Sequence, residues 1–137
     1  MRDIKFIIIH CSDSDLPHHD NINVIKEWHV KERGWDDVGY HYFIQKNGYL
    51  QIGRPLAVQG AGVFRHNENS VHICLSGKTG FTFHQGIALM NICMAMREKF
   101  PMAEVKPHNF FNHHKTCPNF DSVFLFRTFN KYKVDFS

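Results

Sequence analysis

Three places along the chain gather side chains able to bind a metal or move a proton. They are His10 after an apolar run, the Tyr40-His41 pair, and the stretch from His108 to Cys117 (HNFFNHHKTC). Imidazole nitrogens and a thiolate are zinc ligands, and a catalytic zinc takes three such protein ligands while a fourth position stays open for water. Two histidines and a cysteine drawn from these places would meet that need, provided the fold brings distant segments together. Histidine is abundant, 11 of 137 residues, which directs attention to metal or proton chemistry. Cys11, Cys74, Cys93 and Cys117 form no C-x-x-C pair, so zinc-finger and dithiol redox spacings are excluded. Each residue also has a plain structural reading: a histidine at a strand end as a satisfied buried group, a lone cysteine as a small core residue.

The elements that must position these groups follow from periodicity. Ile4 to Ile9 is a nearly continuous, β-branched apolar run, suited to a strand buried on both faces. His10 stands where the chain leaves it, a common place for chemistry. Ile22, Ile25, Trp28 and His29 recur at three- and four-residue steps and predict an amphipathic helix, capped by Asn21 or Asn23 and ended by Gly34. Gly39 to Lys46 and Tyr49 to Ile52 read as two strands joined at Asn47-Gly48, the strongest short hairpin signal. Val71 to Leu75 is a further strand, and His84 to Phe100 a helix of about four turns with Met90, Met94 and Met96 in the core. A short strand is expected at Val105 and a closing helix over Val123 to Phe129. The sum is one α/β domain over residues 1–137, a central mixed β-sheet flanked by helices. His41 alternates with Tyr40 on its strand and is expected to serve structure. His29 is expected to pack or cap, and His18-His19 to be solvated.

Composition removes several classes of function. Hydrophobic residues make up 43% of the chain and 13 are phenylalanine, enough apolar material for a core and against disorder. The net charge of +3 comes with no Lys/Arg block, so no nucleic-acid partner is expected. No run approaches the roughly 20 apolar residues of a membrane span. The opening MRDIKFIIIHCSDSD is too short in its apolar part for a signal peptide, which suggests synthesis in a reducing cytoplasm with free thiols.

The order of four blocks is more specific than any of them alone: His10-Cys11-Ser12, then RGWDDVGYHYFIQKNG with the following GR, then HNENSVHICLSG, and finally HKTCPNFD. In this order they resemble the zinc-dependent N-acetylmuramoyl-L-alanine amidases of the type-2 class. That class includes the bacteriophage lysozyme-amidases, and the peptidoglycan recognition proteins are its relatives. The resemblance runs from about Ile7 to Asp121, most of the chain. It implies an amidase-like fold, a Zn²⁺ cofactor, and hydrolysis of the amide between MurNAc and L-Ala of peptidoglycan. The enzyme so implied is a monomeric phage endolysin, made in the host bacterial cytoplasm and acting on the cell wall after release.

Carried over residue by residue, the resemblance makes His10 and Cys117 the first and third zinc ligands. The second is His108, nine residues before the cysteine, with His113 and His114 as rivals. Tyr40 and Lys115 match the family's polar groups beside the reacting water. Zinc brings water to a pKa near 7. Lys115 is suited to offset oxyanion charge, and Tyr40 to donate a hydrogen bond or move a proton to the leaving amine. His66 and Asn67 are candidates for lining a glycan groove. Two positions depart from the family pattern. Gly62 stands where a GAH-type segment usually carries histidine, and His72 where glycine is usual. The first is expected to alter the grip on substrate, and the second to place a bulky group on a strand of close approach. Two alternatives accompany this reading: a non-catalytic peptidoglycan-binding module, against which Cys117 argues, and an added role as an inhibitor of phage RNA polymerase.

Overall fold

The computed structural model describes residues 2–111. The apolar run forms β1 (Phe6–Cys11), buried along almost its whole length, two residues later than the sequence predicts, so that His10 lies within the strand. β2 (Tyr42–Ile44) and β3 (Leu50–Ile52) make the antiparallel hairpin around Asn47-Gly48. Both are shorter than expected, and Tyr40-His41 precede β2. They are still tied to neighbours: His41 N–H donates to the His72 carbonyl at 3.0 Å and Arg54 N–H to the Tyr40 carbonyl at 3.0 Å.

β4 (Ser70–Leu75) and β5 (Glu104–Pro107) complete a five-stranded sheet of order β3-β2-β4-β1-β5. β1 runs parallel to β4 and β5, and β2 parallel to β4. The sheet is therefore mixed, and the α/β expectation holds. A strand buried on both faces reads as an unbroken apolar run, which is why β1 and the VHICL segment lack alternation.

Between the strands lie two helices. α1 (Ile22–Arg33) starts at Asn21, whose side chain accepts from Asn23 N–H at 2.8 Å, and ends at Gly34 in the left-handed region, φ 70°. α2 (Phe83–Lys99) opens with a capping box between Thr82 and Gln85. The Gln85 amide is buried and donates to the carbonyls of Ser76 at 2.8 Å and Ile44 at 3.2 Å, which pins the helix to the ends of β4 and β2. Met90 and Met96 enter the core as expected, but Met94 is 47% exposed. It falls on the outer face of α2, off the Gln85, Leu89, Cys93, Met96 stripe.

Successive strand residues point to opposite faces of the sheet. Ile7, Ile9, Val71, Ile73, Leu75 and Ile44 pack with α2 residues Leu89, Met90, Cys93 and Met96. On the other face Phe43 and Cys74 pack with Ile22, Ile25 and Val38, beside Trp28 and Tyr40. Among the described residues no helix is long and apolar enough to cross a membrane. The closing helix expected over Val123 to Phe129 lies outside the described residues.

Candidate functional site

Strand register assembles the site. Ile8 pairs with His72 on β4 and with Lys106 on β5. Two residues further along, on the same face, His10 comes level with His108, which follows β5 at the start of a short 3₁₀ turn. Their Nδ1 atoms are 3.2 Å apart and their rings 4.7 Å apart. Two residues separated by most of the described chain are thus adjacent because β1 and β5 are parallel neighbours. His113, His114, Lys115 and Cys117 lie outside the described residues.

His10 is 1% exposed. Burial, and then the neighbouring imidazoles His72 and His108, hold its pKa well below the ordinary histidine value, so the ring is neutral and keeps a lone pair for a metal. Tyr40 lies with its ring 5.1 Å from that of His10. Its other side rests on His29, 5.4 Å away. His29 Nδ1 accepts from Gly39 N–H at 2.8 Å, and burial lowers its pKa to about 4. That residue packs and fastens the loop carrying Tyr40, in line with the structural reading.

His41 is likewise structural. Its Nδ1 accepts from His72 N–H at 3.0 Å and its Nε2 donates to the Val58 carbonyl at 2.8 Å. Burial, which outweighs that carbonyl bond, holds its pKa down to about 4. His18 and His19 stack on each other, 4.0 Å between ring centroids, and His19 on Trp28 at 4.3 Å, so only the first of the two is mainly solvated.

The two departures at Gly62 and His72 prove to be coupled. His72 is 0% exposed and its Nδ1 sits 2.9 Å from His10 Nε2. A Cβ on Gly62 would fall 2.5 Å from His72 Nδ1 and 2.9 Å from His10 Nε2. The space that a side chain at 62 would occupy is therefore filled by the His72 ring, reaching in from β4. The sequence held a signal for this in Gly60-Ala61-Gly62, a small-residue segment facing the one bulky polar group on β4.

Beside His108 opens a cavity of about 610 Å³, with Arg33, Trp35, Gly62, Phe64, Asn67 and Phe111 among its walls. Phe64 is 83% exposed, and the Arg33 guanidinium lies 5.1 Å from the centroid of the Trp35 ring. Sequence reasoning missed this wall because its residues come from a helix end and two loops. Asn67 borders the cavity, but its carboxamide oxygen accepts from Gly62 and Val63 N–H, each at 2.9 Å, and so shapes the loop. His66 packs on Phe111, 4.6 Å between ring centroids.

Comparison with known proteins bears on family and fold. The N-acetylmuramoyl-L-alanine amidase family profile matches residues 1–120. The endolysin of Enterobacteria phage K11 is 34% identical over 121 residues, covering 82% of this chain and 79% of that protein. The endolysin of Escherichia phage T7 is 32% identical over 123 residues, covering 84% and 80%. Among solved structures, the N-acetylmuramoyl-L-alanine amidase LysC from Clostridium intestinale superposes with a TM-score of 0.82 at 25% identity, covering 98% of this chain and 88% of that one. Drosophila PGRP-LB gives 0.76 at 25% identity, covering 86% and 76%.

Proposed function

Because the chain belongs to the N-acetylmuramoyl-L-alanine amidase family, we propose that its peptidoglycan amidase activity is zinc-dependent and that His10, His108 and Cys117 hold the ion. The observation that carries this reading is the His10–His108 pair. Zinc–nitrogen bonds of about 2.0–2.1 Å in a tetrahedron place two ligand nitrogens about 3.3 Å apart, and the two Nδ1 atoms stand 3.2 Å apart. The two nitrogens face each other across that gap, and burial holds the His10 pKa well below the ordinary histidine value. The third ligand, Cys117, is carried over from the K-x-C-P-x-F-D motif. Bound there, zinc supplies a water-derived nucleophile at neutral pH.

The chain's own groups do the rest. Tyr40, whose ring lies beside those of His10 and His29 and whose hydroxyl bonds the buried Cys74 thiol, takes its role from the GYH motif. On leaving Cys74, that hydroxyl would donate a hydrogen bond to the scissile carbonyl or pass a proton to the departing amine of L-Ala. Lys115 offsets the charge that develops on the carbonyl oxygen. The cavity beside His108 offers the faces of Trp35 and Phe64 together with the Arg33 cation, a mixture suited to a glycopeptide that carries carboxylates. Similarity to phage endolysins supports a role in lysis, with the enzyme held in the host cytoplasm until it reaches the wall.

The test is zinc content together with digestion of cell-wall sacculi, with and without chelator. New N-terminal alanine, intact glycan chains and loss of activity on chelation are the expected results. New reducing sugar ends would identify a glycosidase instead, and neither zinc nor released amine would leave a binding module. Lys115→Ala should retain zinc and lose most turnover; unchanged turnover rejects its role.

A further inference from the structure

His10 has an imidazole against each edge. On one side is His108, as described; on the other, His72 Nδ1 lies 2.9 Å from His10 Nε2, with the rings 5.0 Å apart and inclined at 53°. Both His10 and His72 are buried, so water does not decide which nitrogen carries which proton. To present a lone pair toward His108, His10 must carry its proton on Nε2, and His72 Nδ1 must then accept it. The proton of His72 is thereby sent to its own Nε2, a buried atom with no hydrogen-bond partner among the described residues. The opposite arrangement, with His72 Nδ1–H donating, would put a proton on His10 Nδ1 and close the edge that faces His108. His72 Nε2 lacks a partner among the described residues in either tautomer, so the contact with His10 is what sets the direction.

We propose that His72 is a positioning residue that locks His10 in its Nε2–H tautomer and ring orientation, keeping the Nδ1 lone pair ready for a metal ion. The proposal rests on the reading of His10 and His108 as zinc ligands. His72 is not itself a member of that set, since it meets His10 through Nε2, the nitrogen that faces away from His108. Its ring is fixed from two directions. The backbone of His72 exchanges hydrogen bonds with His41, N–H to Nδ1 and carbonyl to N–H, both at 3.0 Å. Gly60 and Gly62 press close on the ring: a Cβ on Gly60 would stand 2.6 Å from His72 Cδ2. Partners that take the second ring proton of a metal-binding histidine fix its tautomer and orientation, and their loss commonly costs metal affinity.

Two measurements test this. In the zinc-free wild-type protein, long-range ¹H–¹⁵N correlation spectra of the imidazole rings should place the proton on Nε2 in both His10 and His72; a proton on His72 Nδ1 overturns the proposal. Zinc affinity is then measured by chelator competition. His72→Phe keeps a ring of similar size without an acceptor and should bind zinc about 10–100-fold more weakly. His72→Asn, whose Oδ1 takes the place of Nδ1, should remain close to wild type. Equal affinity for wild type and His72→Phe overturns the proposal, as does an Asn variant as weak as the Phe variant. Should His72→Phe fail to fold, the tautomers of the wild-type protein decide alone. A wild-type chain that takes up no zinc overturns the ligand reading and this inference together, whereas tight wild-type binding indifferent to His72→Phe overturns this inference only.

Discussion

On the α2 side of the sheet, β1 and β4 present Ile7, Ile9, Val71, Ile73 and Leu75 to Leu89, Met90 and Cys93. On the opposite side the same two strands turn His10 and His72 inward, with Tyr40, His29 and His108 close by. Both sides are buried, and they differ in what burial does. Apolar side chains gain stability when they leave water, in proportion to the area they hide. Imidazoles gain little from burial; they are held neutral and directional, which is what a ligand set requires. One face holds the molecule together and the other equips it, and β1 and β4 contribute to both.

The sharpest way to break that division is His10→Ala. It should reduce zinc retention and release of N-terminal alanine by well over the roughly hundredfold that loss of an outer partner costs, with secondary structure by circular dichroism retained; zinc binding at wild-type strength would refute the division. On the other face, Leu89→Ala should lower unfolding free energy by about 2–5 kcal/mol in urea titration, while turnover per folded molecule stays at the wild-type level.

Acid should act through the histidine face. His29 and His41 have folded pKa values of about 4, below the unfolded value near 6.5. Between those limits the unfolded chain binds more protons than the native one. The stability these two carry is therefore complete above pH 6.5, declines as pH falls, and levels off below about pH 4. The decline should be on the order of 3 kcal/mol for each of the two in the zinc-free protein, and replacing His29 with an uncharged residue that still folds should remove about half of it.

The smallest effect is expected at Gly62→His. Overpacking against His72 should cost about 1–3 kcal/mol. Combining it with His72→Gly should cost less than the sum of the two single changes, because both rings compete for one space. Simple additivity in thermal or urea unfolding would show that they do not.

The two faces were also unequally legible in the sequence. Apolar periodicity, the Asn21 cap, Gly34 and the Asn47-Gly48 turn announced the helices and the hairpin, because such signals depend on near neighbours in the chain. Pairing of His10 with His108 depends on β1 and β5 lying side by side, and no local pattern encodes that order. It became visible only through the succession of blocks shared with a family. The role of His72 was hidden for another reason: a polar residue inside the VHICL run reads as an interruption until Gly60 and Gly62 are placed opposite it. Met94 went astray because the outer face of α2 carries a large apolar residue without burying it.

β5 is four residues long, ends in Pro107, and among the described strands is bonded only to β1. It is the described edge of the sheet on that side, and edges fray first. Since His108 follows it directly, one hinge-like opening of this short strand would part the two imidazoles while β1, β2 and β4 stay paired. Backbone amides of β5 should therefore exchange with deuterium well ahead of those of β4 in the metal-free protein, and slow when zinc is added. An ion bound across His10 and His108 would act as a clasp on the sheet's margin, linking the lifetime of the closed edge to metal occupancy.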